Sequence, residues 1–482
     1  MTTALPDLTP STGATDFIDD ARIEALIAAT PEDPVRVREI IAKAMAKIPL
    51  LPEETAALIA ARSPDLHGEI LAAARQLKKD VYGNRIVLFA PLYIGNRCVN
   101  DCSYCGFRSS NQDAIRRELD SATIQKQVQA LTGRGHKRLI LVFGEHPDYG
   151  PEFIRDSVKT VYAAGDIRRV NVNAAPLDVE GYKIVAEAGI GTYQIFHETY
   201  HHDAYAKAHP RKTRKGDYLW RLDGPSRAMQ AGIDDVGIGA LFGLADWRFE
   251  TISLVTHARH LFERHGVGPH TISFPRLRPA QGVVADPRFT VSDEDFIRLV
   301  AILRLSVPYT GMICTAREPA WIRDALIGLG VSQVDAGTNI DLGGYSEQGD
   351  ATVVEQRTVH HHTDLKKAQF ELADTRSVEE MVERLVDGGQ IPSFCTACYR
   401  AGRTGEVFME YAVPGFIEKL CTPNALTTFQ EYLCDHASPA LKAKGETLIR
   451  SQVAGIADEK IRHMVAERLQ RIAKGGERDL YV

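Results

Sequence analysis

Nothing in the 482-residue sequence stays apolar over the roughly 20 residues that a bilayer-spanning helix needs, so no membrane partner is expected. Long runs of one charge are missing too: 57 basic and 63 acidic side chains mix along the chain to a net −6. That balance sets aside nucleic acid, which a basic stripe would announce. The start, Met1 to Asp16, has neither a basic stretch nor an apolar one, and residues 1–16 read as a flexible tail rather than an export signal. Cysteine is scarce, at eight residues, yet six of the eight fall into two groups. Without export signals such grouping favours metal ligation over disulfides. A cytoplasmic metalloprotein is expected.

The first group is Cys98, Cys102 and Cys105, at C-x3-C-x2-C spacing, with Tyr104 just before the last thiol. Three thiolates can hold three irons of a [4Fe–4S] cube and leave the fourth iron open. A structural zinc site wants four ligands, so zinc would need a distant fourth group that this loop does not contain. The segment closely resembles the signature of radical S-adenosylmethionine (SAM) enzymes. That resemblance implies an open iron chelating the amino and carboxylate groups of SAM, with Tyr104 against the adenine.

Residues 17–84 read as an N-terminal helical segment, punctuated by Pro31, Pro34, Pro49, Pro52 and Pro64. From 85 to 344 short apolar runs alternate with amphipathic stretches. Strands are predicted over 86–90, 138–143, 170–174, 192–196, 236–241, 271–274, 310–314 and 333–336. Eight strands separated by helical text predict an α/β fold, a (β/α)8 TIM-type barrel; a doubly wound open sheet is the alternative. Residues 345–482 read as a mostly helical C-terminal domain carrying the second cysteine group. Within it His360, His361 and His362 could bind metal, although adjacent histidines in a polar stretch are more often solvated.

Active sites of such barrels lie at the C-terminal ends of the strands. After the second strand, Gly144 and Glu145 resemble the end of the motif that accepts the SAM ammonium, with Phe143 standing where a first glycine is usual. In the fourth, alternation puts Gln194 and Phe196 on one face. Gln194 and Glu198 are expected to touch SAM or substrate, or to be hydrogen-bonded core groups. Gly237 and Gly239 are expected to admit ribose and adenine close to backbone. Past the seventh strand, an exposed Arg317, or Arg323 about one turn into the next helix, is expected to grip an amino-acid carboxylate. A surface Arg–Glu pair is the plainer alternative.

The second group, Cys395, Cys398 and Cys421, again offers three thiolates, for a second cube or for zinc completed by Cys434 or a histidine. Cys314 and Cys434 read as small buried hydrophobes. On the runs Cys395–Gly405, His270–Ser273, Gly144–His146 and Arg317–Pro319, the chain resembles the radical SAM tyrosine lyase family of [FeFe]-hydrogenase maturation, HydG. The resemblance implies two [4Fe–4S] clusters, SAM, and an additional labile iron carrying a free L-cysteine, with His270 as an iron ligand. It implies cleavage of L-tyrosine at Cα–Cβ by a 5′-deoxyadenosyl radical, giving p-cresol and dehydroglycine. The latter would pass down the barrel and become carbon monoxide and cyanide on iron. Implied partners are an electron donor such as ferredoxin or flavodoxin and other [FeFe]-hydrogenase maturation proteins, in an anaerobic cytoplasm. One alternative is the tyrosine lyase of thiamine thiazole synthesis, which typically lacks the second three-cysteine site. The other is a non-catalytic iron–sulfur carrier, against which Tyr104 and Gly144-Glu145 argue.

Overall fold

The computed structural model describes residues 9–210, 213–347 and 365–482. The His360–His362 triple and the first eight residues of the expected tail lie outside them. Four helices lead into the barrel: α1 (Asp20–Ala29), α2 (Pro34–Met45), α3 (Pro52–Ala60) and α4 (Pro64–Tyr82). Pro34, Pro52 and Pro64 each open a helix, where the missing N–H would have found no partner anyway. The Asp33 carboxylate caps α2, accepting from the Val35 and Arg36 N–H groups at 3.0 and 3.2 Å. One face of α4, with Leu66, Ile70, Leu77 and Val81, is buried in contact with helix Asp293–Ser306.

Eight parallel strands follow: β1 (Arg85–Gly95), β2 (Arg138–Phe143), β3 (Arg169–Asn173), β4 (Tyr193–Glu198), β5 (Val236–Ala240), β6 (Thr271–Ser273), β7 (Gly311–Cys314) and β8 (Gln333–Asp335). Each pairs with the next, and β8 returns to β1 at Val87↔Gln333, which closes the sheet. The fold is therefore the expected TIM-type barrel, and the open sheet is excluded. All eleven positions of β1 are buried, as a parallel strand covered on both faces requires.

The C-terminal region is not purely helical. Ile391–Ser393 forms β9, parallel to the start of β1, with Arg85 opposite Ile391 and Val87 opposite Ser393. Three residues with Pro392 in the middle leave no periodicity to read, and proline is tolerated there because β9 is an edge strand. This pairing brings Cys395 to the N-terminal end of the barrel. The residues around Gln369 close the other end: the Gly106 N–H donates to the Gln369 carbonyl at 3.0 Å and the Ile115 N–H to the Lys366 carbonyl at 2.8 Å. Past helix Glu418–Asp435 the chain ends in two helices, Pro439–Ala454 and Glu459–Gly475. Among the described residues no helix is long and apolar enough to cross a membrane.

Candidate active site and second cysteine site

Alternate residues of β1 face the barrel interior. Arg85 and Val87 line a cavity at the N-terminal, lower end; Phe89, Pro91 and Tyr93 line one at the C-terminal, upper end. The same division recurs on β2 between Arg138 and Ile140, on β7 between Gly311 and Ile313, and on β8 between Gln333 and Asp335. The cavities therefore occupy successive inward positions, about 7 Å apart along a strand. Phe89, Ile140 and Ile313 form an apolar cluster of their own at the junction. The space between the walls, open mouths included, is 1010 Å³ above and 530 Å³ below.

The first cysteine loop leaves the upper end of β1. Tyr104 and Cys105 line the upper cavity, and Cys102 packs with Tyr104, Ala208 and Leu241. Burial pushes the Cys98 thiol up to about 11 and the Cys102 thiol up to about 12, so each keeps its proton until a metal displaces it. The Phe107 N–H and the Gln369 side-chain amide donate to Cys105 Sγ at 3.4 and 3.5 Å, contacts that suit a cluster thiolate. Among the described residues no three His, Cys, Asp or Glu side chains converge closely enough to share one metal ion. Zinc would draw its thiolates to about 2.3 Å from a single point. A cube instead gives each thiolate its own iron.

Around this loop the predicted cofactor contacts divide. The Tyr104 hydroxyl meets His209 Nε2 at 2.8 Å, and the Lys215 ammonium stands 5.6 Å over its ring. A Cβ at Gly144 would lie 2.2 Å from the Arg97 carbonyl oxygen, so only glycine lets the end of β2 pass beside the cysteine loop. The Glu145 carbonyl accepts from the Val99 N–H at 2.9 Å. Its carboxylate takes Arg221 and Asn100, each at 2.7 Å. Burial opposes that charge, but Arg221 and then Lys215 hold the carboxyl below its ordinary range. Strand β4 bulges between Phe196 and Glu198, where Glu198 takes φ +76°. Gln194, Phe196 and Glu198 all lie on the cavity wall, as alternation along a strand predicts, with Glu198 receiving Lys215 Nζ at 3.0 Å.

Arg317 lines the upper cavity, but it is turned inward rather than exposed: its guanidinium carbon stands 3.4 Å over the Phe370 ring. Burial lowers its pKa, and no carboxylate pairs with it among the described residues. Arg323 does not reach the cavity. It is 1% exposed, its fork already taken by Asp335 at 2.9 Å and Asp374 at 2.6 Å. Gly237 and Gly239 do not line the cavity either. A Cβ there would meet Thr271 Oγ1 at 2.6 Å and the Ser273 carbonyl at 2.5 Å, so neighbouring strand atoms, not a ligand, demand glycine. Ala240 and Leu241 face the cavity instead. Lys215, Arg221, Asn100 and Gln369 were missed in the sequence because they converge only in three dimensions.

In the lower cavity Cys395 and Cys398 arrive just after β9, and Cys421 from helix Glu418–Asp435. Burial raises the Cys395 thiol and pushes Cys398 up to about 12. The Ala397 N–H donates to Cys395 Sγ at 3.3 Å. His270 joins them on the wall, its Nε2 3.3 Å from the Tyr399 hydroxyl and its Nδ1 3.4 Å from Asp235 Oδ1. Cys434 is not on this wall; the Gln430 amide donates to it at 3.5 Å. Arg85 lies against Cys421, and Arg138 donates to the Cys395 carbonyl at 2.8 Å. The buried Thr396 hydroxyl has no hydrogen-bond partner among the described residues. Three thiols, a histidine and unsatisfied donors fit a second cube.

Residues 92–253 match the Radical SAM superfamily, and residues 273–391 match the Biotin and Thiamin Synthesis associated domain. The 2-iminoacetate synthase of Salmonella typhimurium is 33% identical over 310 residues, 64% of this chain and 80% of that protein. A crystal structure of HydG, a maturase of the [FeFe]-hydrogenase, superposes with a TM-score of 0.91 at 44% identity, over 97% of this chain and all of that one. The FeFe-hydrogenase maturase HydG of Carboxydothermus hydrogenoformans gives 0.79 at 38% identity, over 93% and 97%.

Proposed function

The chain belongs to the HydG family of radical SAM enzymes, and from that premise we propose that it cleaves L-tyrosine at Cα–Cβ into p-cresol and dehydroglycine. Dehydroglycine would then become carbon monoxide and cyanide on iron for the [FeFe]-hydrogenase active site. The observation that carries this reading is the pair of three-thiol sites at opposite ends of one barrel, with cavity walls that adjoin. Membership implies one [4Fe–4S] cluster and SAM. Together these supply, when bound and reduced, a 5′-deoxyadenosyl radical able to take hydrogen from an unactivated position.

In this reading Cys98, Cys102 and Cys105 hold that cluster, and Cys395, Cys398 and Cys421 hold a second, with His270 on a labile iron that carries free L-cysteine. Arg317 grips the tyrosine carboxylate, since it lines the cavity and no carboxylate pairs with it among the described residues. Gln194 and Glu198 present polar groups toward SAM. Tyr104 covers the adenine side, and the Gln369 segment closes the mouth against water. The apolar step at Phe89, Ile140 and Ile313 lets a small fragment descend while a ring as large as p-cresol stays above.

Relatives named 2-iminoacetate synthase support the first half, because 2-iminoacetate is dehydroglycine under another name. They also favour a second reading, a tyrosine lyase that stops at that product. The lower thiol site separates the two. Reduced, reconstituted protein given SAM and tyrosine should yield 5′-deoxyadenosine, p-cresol, carbon monoxide and cyanide. Glyoxylate and ammonia without carbon monoxide would select the second reading, and no p-cresol at all would sink both.

A further inference from the structure

Two stretches of chain far apart in sequence meet over the upper thiols. Gln369 stands 264 residues beyond Cys105, yet it employs both ends of its side-chain amide there. Its Nε2 donates to Cys105 Sγ at 3.5 Å, and its Oε1 accepts from the Tyr93 hydroxyl at 3.1 Å. A thiolate on iron can only accept, so the amide must turn its NH2 toward the sulfur. Tyr93 meets the carbonyl end and holds that orientation. The backbone is fixed as well. The Gly106 N–H donates to the Gln369 carbonyl at 3.0 Å, and a Cβ at Gly106 would come within 2.8 Å of that oxygen. The neighbouring Phe370 ring lies 3.4 Å from the Arg317 guanidinium carbon. One short segment therefore touches both a thiol of the first loop and the cation proposed for the substrate carboxylate.

We infer that Gln369 tunes the redox behaviour of the upper site: its amide favours the reduced cluster, and it ties electron entry to the seating of residues 368–372 over the cavity. This rests on the reading of Cys98, Cys102 and Cys105 as cluster ligands. Reduction adds a negative charge that the sulfur ligands share, so a donor on a thiolate favours the reduced form and raises the potential. The Phe107 N–H at 3.4 Å acts in the same direction, but it belongs to the loop itself and is always present. The Gln369 donor comes from the segment that covers the mouth, so its effect depends on that segment being in place. Arg317 bears directly on Phe370, and an amino acid that fixes Arg317 steadies the segment with it. The electron comes from an external low-potential carrier protein, and no bond is made or broken in this step. It then enters most readily with substrate bound, which limits radical formation in an empty cavity.

The test is a redox titration of the full chain with both clusters reconstituted and SAM present, with and without L-tyrosine. Each cluster is followed by its electron paramagnetic resonance signal. Gln369→Leu keeps the bulk and the backbone contacts but removes the donor. At a fixed potential its ratio of reduced to oxidised upper cluster should fall roughly fivefold, with the lower cluster unmoved. L-Tyrosine should raise the upper midpoint in the unaltered protein, and should do so less in Gln369→Leu. Tyr93→Phe frees the amide carbonyl but leaves the donor, and should give a smaller shift in the same direction. An unchanged upper midpoint in Gln369→Leu overturns the tuning role. Equal shifts at both clusters overturn it too, since they would report general loosening. So does loss of the upper cluster from both variants, which would make Gln369 a structural support. An upper midpoint indifferent to L-tyrosine while p-cresol still forms overturns the link to seating. p-Cresol is assayed in parallel with the unaltered protein, so failure of the lyase reading is seen separately from the midpoints measured without tyrosine.

Discussion

The two ends of the barrel hold the same number of thiols but neutralise charge in opposite ways. At the upper end Glu145 meets Arg221 at 2.7 Å and Glu198 meets Lys215 at 3.0 Å, whereas Arg317 on the cavity wall has no carboxylate partner among the described residues. At the lower end Arg85 and Arg138 face three thiols, with no carboxylate paired to either among the described residues. A wall of balanced pairs with one spare cation suits ligands that are zwitterions, such as SAM and an amino acid. A wall of thiols and guanidiniums suits small anions and metal. The parts also differ in origin. The upper site uses loops that follow strands, where barrels ordinarily place chemistry. The lower site uses the first residues of strands and borrows its thiols from the C-terminal extension.

Removing the upper thiol Cys98 should break the comparison most completely. Cys98→Ala is expected to abolish 5′-deoxyadenosine formation while the lower site keeps its iron, so total iron should fall by about half. Loss of all iron would show that the two sites do not assemble independently. Next in size is the reverse experiment. Cys395→Ala combined with Cys398→Ala should spare p-cresol and suppress carbon monoxide, read by product analysis of one reaction mixture. Undiminished carbon monoxide would remove the lower site from the chemistry.

A smaller effect tests the spare cation. Arg317→Ala should raise the KM for tyrosine by roughly tenfold or more, the worth of a charge-assisted carboxylate contact. The SAM requirement should change much less. Equal changes in both would reassign Arg317 to SAM.

The asymmetry between the ends also governed what the sequence disclosed. Upper residues are local: Cys98, Cys102, Tyr104 and Cys105 stand in one run, and Gln194 and Glu198 follow from strand alternation, so spacing alone finds them. Strand positions were legible because parallel strands covered on both faces leave continuous apolar runs. Arg323 misled, because its partners Asp335 and Asp374 lie on separate elements that no local pattern connects. Gly237 and Gly239 misled because packing of neighbouring strands and approach of a ligand both demand glycine. The lower site left a signal that was overlooked: Arg85, Arg138 and Arg169 are the first residues of three successive strands. Three arginines at strand starts in a barrel must collect at one mouth.

The smallest predicted effect concerns a carboxyl that belongs to the upper end alone. Glu250, on helix Trp247–His265, is fully buried and accepts from the Thr199 hydroxyl at 2.5 Å and the Tyr200 N–H at 2.9 Å. It thereby pins the chain just past β4. Burial pushes it up to about 8 from an ordinary 4.5, since those hydrogen bonds recover only part of the lost hydration. A carboxyl raised on folding binds its proton more tightly in the fold than in the unfolded chain. Its contribution is therefore complete below pH 4.5 and is lost as pH climbs toward 8. Melting temperature should decline across that interval. Glu250→Gln, which cannot ionise, should flatten the decline. Hydrogen exchange should place the difference at Thr199 and Tyr200 and leave the Cys395–Gly405 loop unchanged. A pH response shared equally by both loops would mean that the two ends open as one unit, and that their separate electrostatics do not translate into separate stability.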